Sequence, residues 1–289
     1  MNSARINIAG LLSCALLSGA TVSRAQNADV KPGVKGGPVT TGPVPIIKQL
    51  TNSAPMRVLF VGNSYLYYND SLHNHVRRMA IGFHPEREQE LAYKSATIGG
   101  SALSHHNLDS HLEPGKLGID EPFELVILQG GSSAALSPAR RAAFTAKAIE
   151  FDKKIRTTGA ETALYMIHAY VRPHPRFEPD MLRKVEDMYV TTANQIGALV
   201  IPVGLAFEEA YRQKPELALH KTFDGTHPDM LGTYLAACVV YASIYGASPV
   251  GSTYDYFGQV SKEDALFLQT VARDTVQRFQ ARTATGATN

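Results

Sequence analysis

Residues 57–66 read RVLFVGNSYL, an apolar run from Val58 to Val61 that ends on Gly62 and breaks into the polar pair Asn63-Ser64. A short apolar run closed by glycine is the pattern of a strand buried on both faces. Just beyond it, SLHNHVRRMAIGF (71–83) spaces its apolar groups at helical intervals. The same alternation returns along the chain. ELAYKSATIGG (90–100), PFELVILQGG (122–131), ETALYMIHAY (161–170) and ALVIPVG (198–204) read as four more strands. PARRAAFTAKAIEFDKKIRTTG (138–159) reads as a helix with a proline start and a glycine stop. PDMLRKVEDMYVTTANQIG (179–197), the long apolar DMLGTYLAACVVYASIYG (229–246) and residues 261–282 predict three further helices. Five strands alternating with helices imply right-handed crossovers and one parallel sheet covered on both faces, a three-layer α/β/α domain.

In such a domain the ligand crevice lies beyond the carboxyl ends of the strands. Four loops there carry chemistry: Gly62-Asn63-Ser64, Gly99-Gly100-Ser101, Gln129-Gly130-Gly131-Ser132 and Asp224-Gly225-Thr226-His227-Pro228. Singly, each has a bland reading. Ser64 suits a helix N-cap, Gly100 a turn, and Gln129 the polar end of a strand. No Gly-x-Ser-x-Gly elbow exists, because Leu66 takes the last place. Asp-x-x-His occurs twice, at Asp70/His73 and Asp224/His227, and Asp70 reads as the N-cap of the helix that follows. Taken together the loops supply a hydroxyl nucleophile at Ser64, a base at His227, and Asp224 to orient the imidazole. The backbone N–H groups of Ser64 and Gly100 and the Gln129 side-chain amide are expected to meet the oxyanion. Asn63, His105 and Ser132 are placed to line the cleft.

The chain has 289 residues and a formal charge of +2. Both excess cations, Arg5 and Arg24, fall in the first 25 residues, which leaves the rest neutral. A neutral chain without basic runs is a poor fit to nucleic acid. Residues 1–25 (MNSARINIAGLLSCALLSGATVSRA) have the layout of a secretory signal peptide: a positive start, an apolar core, and Ser23-Arg24-Ala25 as a small-x-small cleavage site. A secreted or periplasmic protein is expected, with no stable membrane insertion after processing; an uncleaved anchor is the alternative reading of the same segment. Residues 26–55 are rich in Pro, Gly and Thr and read as a linker or loosely docked arm. The folded domain is expected over 56–282, with 283–289 as a tail. Of the two cysteines, Cys14 lies in the leader and Cys238 sits in the apolar run AACVVY, a core thiol.

The blocks VLFVGNSYLYYND, ATIGGSALSHH, LVILQGGSS and FDGTHPDMLGTYLAACVVY resemble the SGNH (GDSL-type) hydrolase superfamily, and most of all its exported esterase-like branch with Gln in the third block. The resemblance covers Arg57 to Gly246. It implies a flavodoxin-like three-layer fold and serine-dependent esterase chemistry without a cofactor. Ser64 then matches the nucleophile, Gly100 the second-block glycine, and Asp224 and His227 the final Asp-x-x-His. The third block departs from the family's Gly-x-Asn-Asp, so either Gln129 or Ser132 takes the place of its oxyanion donor.

The remaining histidines do not point to a metal. His73 and His75 diverge by about 200° on a helix, His105 and His106 diverge as well, and no His-Glu-x-x-His accompanies them or His111. The expected function is hydrolysis of short acyl esters, such as acetylated carbohydrate, with a small-molecule or carbohydrate ester as the partner. Two alternatives stay open: an O-acyltransferase using the same triad, and a non-catalytic glycan-binding module on the same fold.

Overall fold

The computed structural model describes residues 42–283. The leader at 1–25, the first part of the linker and nearly all of the tail lie outside these residues. β1 (Arg57–Gly62) runs into the one-turn α1 (Ser64–Tyr67) and then α2 (Leu72–Phe83). β2 (Ala92–Thr97), α3 (Leu108–Leu112), β3 (Leu125–Leu128) and α4 (Pro138–Thr157) follow. β4 (Glu161–Tyr165), α5 (Met181–Ile196), β5 (Leu199–Ile201), α6 (Val203–Gln213), α7 (Met230–Tyr245) and α8 (Lys262–Gln280) complete the chain.

All five strands are parallel, in the order β2-β1-β3-β4-β5. Val58 pairs with Tyr93 on one side and Leu125 on the other. β3 and β5 are buried throughout, and β1 is buried from Val58 to Gly62. That is what helices on both faces require, and it explains why the strands read as continuous apolar runs rather than alternating ones. The chain steps from β1 outward to β2 and then back past β1 to β3. With right-handed crossovers, α2 therefore covers one face while α3, α4 and α5 cover the other. α7 and α8 pack against each other, and α7 also packs on α2, on the first face. This is the three-layer flavodoxin-like order, and its switch point lies between β1 and β3.

Cys238, on α7, is fully buried, and burial pushes its thiol well up, so it is an inert core residue. Residues 42–55 lie against the domain. Asn194 donates to the Val44 carbonyl and accepts the Ile46 N–H, while the Glu161 carboxylate accepts the N–H groups of Thr51 and Asn52. Asp70 is not the N-cap of α2. Ser71 occupies that position without a side-chain cap, and Asp70 instead pairs with Arg78 at 2.6 Å.

Candidate active site

β1 ends at the switch point and delivers Ser64 to the crevice, with Asn63 just before it. Asn63 is extended (φ −131°), and its Oδ1 accepts the Tyr65 N–H at 3.2 Å, which starts α1. Its Nδ2 donates to the carbonyls of Ser101 (2.9 Å) and Gly130 (3.2 Å). One buried side chain thus laces together the loops after β1, β2 and β3. Asn63 is only 2% exposed, so it does not line the cleft as the sequence suggested. It holds the crevice together from behind.

Ser64 is the first residue of α1, and its Oγ lies 2.9 Å from Nε2 of His227. On the far side of the ring, Nδ1 lies 2.7 Å from Oδ2 of Asp224. A carboxylate can only accept, so Nδ1 carries the proton and Nε2 turns its lone pair to the Ser64 hydroxyl. Oδ1 of Asp224 accepts the N–H groups of Thr226 (2.9 Å) and His227 (3.1 Å), which fixes the carboxylate. Burial pulls the Asp224 carboxyl upward. The His227 ring and the two N–H groups outweigh it, and the net shift is downward, keeping Asp224 ionised. Gly225 between them is left-handed (φ 64°), its carbonyl accepts the Val171 N–H at 2.8 Å, and a side chain there would collide with the Val171 carbonyl. Only glycine fits.

Among the described residues, the backbone N–H groups of Ser64 and Gly100 donate to no protein acceptor. The first N–H of a helix has no intrahelical partner, so that of Ser64 is free for a ligand. Gly100 is left-handed (φ 68°) and exposed, and a Cβ there would meet nothing within 4 Å.

Gln129 does not stand where the sequence suggested. It is fully buried; its Oε1 accepts the Asn63 N–H at 2.9 Å and its Nε2 donates to the Gly130 carbonyl. With both ends of the amide engaged inward, it is not a free oxyanion donor. The cause is Gly62 on the adjacent strand: where a Cβ would sit lies the Gln129 carboxamide. Ser132 is half-buried and accepts from the Tyr170 hydroxyl at 3.1 Å. His105 is exposed, with Nδ1 accepting the Ala102 N–H at 3.1 Å, and His106 is buried against the Ser101 hydroxyl at 3.0 Å. The rival Asp70 and His73 do not pair with each other, since Asp70 pairs with Arg78 at 2.6 Å. His73 engages Ser71, and burial pushes its imidazole down to about 4.

Three residues around His227 went unnoticed in the sequence. The Tyr68 ring stacks on the imidazole at 4.3 Å and 13°. The Tyr65 hydroxyl shares a 2.6 Å hydrogen bond with that of Thr226. His168, fully buried between the Tyr65 and Phe207 rings, donates from Nε2 to the Thr226 carbonyl at 2.8 Å. Burial holds that imidazole neutral, down to about 4. Its apolar-run setting, YMIHAY, is the one local signal of a buried histidine.

No protein-family model matches this sequence, and no curated protein matches it. Solved structures do match. A DUF4886 family protein from Bacteroides uniformis superposes with a TM-score of 0.60 at 17% identity, over 79% of this chain and 97% of that one. A candidate SGNH hydrolase from Slackia heliotrinireducens gives 0.53 at 19%, over 66% of this chain and 100% of that one. An acetyl xylan esterase, AlAXEase, gives 0.51 at 14%, over 64% and 98%. With its parallel sheet in the order β2-β1-β3-β4-β5 and helices on both faces, the chain has the fold of the SGNH hydrolases.

Proposed function

We propose that this protein is a serine esterase that hydrolyses short acyl esters. The observation that carries the reading is the unbroken line of hydrogen bonds from Ser64 Oγ through the His227 ring to Asp224, 2.9 and 2.7 Å long. Ser64 Oγ attacks the acyl carbon while its proton passes to Nε2 of His227. Asp224 stabilises the resulting imidazolium through Nδ1–H. The carbonyl oxygen becomes an oxyanion, which the N–H groups of Ser64 and Gly100 bind more strongly than the neutral ester. His227 returns the proton to the departing alkoxide, leaving an acyl-Ser64. Water then attacks, its proton going to His227 and from there back to Ser64 Oγ as the acid leaves.

The acyl group in this reading is short, with acetyl on carbohydrate as its natural case. The fold shared with an acetyl xylan esterase supports that choice at the level of architecture. Export belongs to the same proposal, on the strength of residues 1–25. The test is a panel of p-nitrophenyl esters of increasing chain length, run on the wild type and on Ser64→Ala. Turnover greatest on acetate and lost in the variant is expected. Equal turnover by the two proteins overturns the assignment.

A further inference from the structure

The loop that carries His227 comes after β5 and α6, and β5 is three strands away from β1 in the sheet. No strand pairing therefore sets the distance between His227 and Ser64. The segment that follows Ser64 does so directly, gripping three consecutive residues of the loop. The Tyr65 hydroxyl holds the Thr226 hydroxyl at 2.6 Å, and the Tyr68 ring lies on the His227 imidazole. The Asn69 amide donates to the Pro228 carbonyl at 3.0 Å and to the Thr233 hydroxyl at 2.8 Å.

Asn69 makes that last contact from an unusual backbone. Asn69, Asp70 and Ser71 are left-handed in succession (φ 54°, 70° and 61°), without a glycine among them. Such a stretch persists only where its surroundings over-determine it, and these outliers gather at functional sites. Here the surroundings are explicit. Arg78 pairs with Asp70 at 2.6 Å. The fully buried His75 donates from Nε2 to the Asn69 carbonyl at 2.5 Å and accepts from the Tyr254 hydroxyl at 2.9 Å. Glycine at 69 would take the same conformation without strain. What Asn69 adds is its amide.

We propose that Asn69 is a positioning residue that acts through Pro228 to keep Nε2 of His227 on the Ser64 hydroxyl; this rests on reading Ser64 and His227 as the reacting pair. The left-handed turn aims the amide across to the loop, while Tyr68 fixes the plane of the imidazole. The experiment compares wild type, Asn69→Gly and Asn69→Asp. Glycine keeps the backbone and deletes the amide, whereas aspartate keeps the shape but cannot donate to a carbonyl. Three readouts are taken: kcat and KM on p-nitrophenyl acetate, the rate of phosphonylation of Ser64 by a fluorophosphonate, and the melting temperature. A misplacement of about 1 Å can cost about 10²-fold. Both variants are expected to lose roughly 10- to 100-fold in kcat and in phosphonylation rate, with KM little changed and cooperative melting retained. If Asn69→Gly fails to fold, Asn69→Asp decides alone. Rates within twofold of wild type overturn the inference, and so does a loss in which KM, kcat and melting temperature move together. Failure of the wild type itself to be phosphonylated at Ser64 overturns instead the reading on which the inference rests.

Discussion

Replacing Gln129 by alanine separates two roles for this residue, donor to a reacting oxyanion or tie between loops. In the structure the carboxamide is buried, and it is the acceptor for the buried Asn63 N–H. Gln129→Ala strands that N–H away from water, at a cost of about 1–3 kcal/mol. Loss of the packed side chain beside Gly62 adds about 1 kcal/mol for the void left behind. The Gly130 carbonyl keeps its bond from Asn63 Nδ2, so it adds little. The total is about 2–4 kcal/mol, which in a domain of this size lowers the melting temperature by roughly 5–15 °C. Calorimetric melts beside p-nitrophenyl acetate kinetics make the assay. Activity is expected to fall as well, because Asn63 caps the turn that presents Ser64, but the melt must fall with it. A variant that melts within about 1 °C of wild type while kcat drops about 10²–10³-fold would refute this reasoning, since that is the signature of a lost oxyanion donor.

Ser64→Ala removes nearly all turnover, and the double variant Ser64→Ala/His227→Ala is no slower than either single one, because the groups act as a unit; an additive double variant argues against the triad. Gly100→Ala must force a side-chain-bearing residue into a left-handed backbone and displace its N–H, so kcat falls on the ester panel while KM holds; an unaltered kcat removes Gly100 from the oxyanion site. Acid weakens the fold through histidines that burial keeps neutral, His73, His106 and His168 among them; His168 serves as the test. Its folded value of about 4 lies below the ordinary 6.5, so as pH falls through that window the unfolded chain takes up the proton first. Stability then drops by up to about 1.4 kcal/mol per pH unit. Urea melts at pH 7 and pH 5 should show that drop in the wild type and a smaller one in His168→Gln; equal drops would remove His168 as a contributor. For export, mass spectrometry of the exported fraction should find a mature N-terminus near Gln26, and an N-terminus at Met1 or a lipid on Cys14 would contradict it.

The fold was legible because its inner strands β1 and β3 are buried on both faces. Val58 to Val61 and Leu125 to Leu128 have no exposed side, so each reads as an uninterrupted apolar run bounded by glycine or polar residues. α6 was missed for the same reason. Val203 follows Ile201 with only Pro202 between, and the apolar start of the helix merges with the end of the strand. At four residues, α1 is too short to show any period. Within the candidate site, the residues on strand ends and loop tips could be picked out by type and place. What lies behind them could not. Gln129 turns inward because glycine occupies the adjoining strand at position 62, a neighbour fixed by β1–β3 pairing and not by local sequence. The left-handed turn at Asn69 is likewise held by Arg78 and His75 from the next helix and by Tyr254 from far along the chain.

The central claim is that His227 activates the Ser64 hydroxyl, and covalent labelling reads that directly without any assumption about substrate. A fluorophosphonate reacts with a serine whose proton a neighbouring base removes, and leaves unactivated hydroxyls untouched. The folded protein, treated with such a probe at neutral pH and digested, should yield one modified peptide with the adduct on Ser64. His227→Ala, still folded, should yield none. A folded wild type that takes up no label, or that carries it on a residue other than Ser64, contradicts the account.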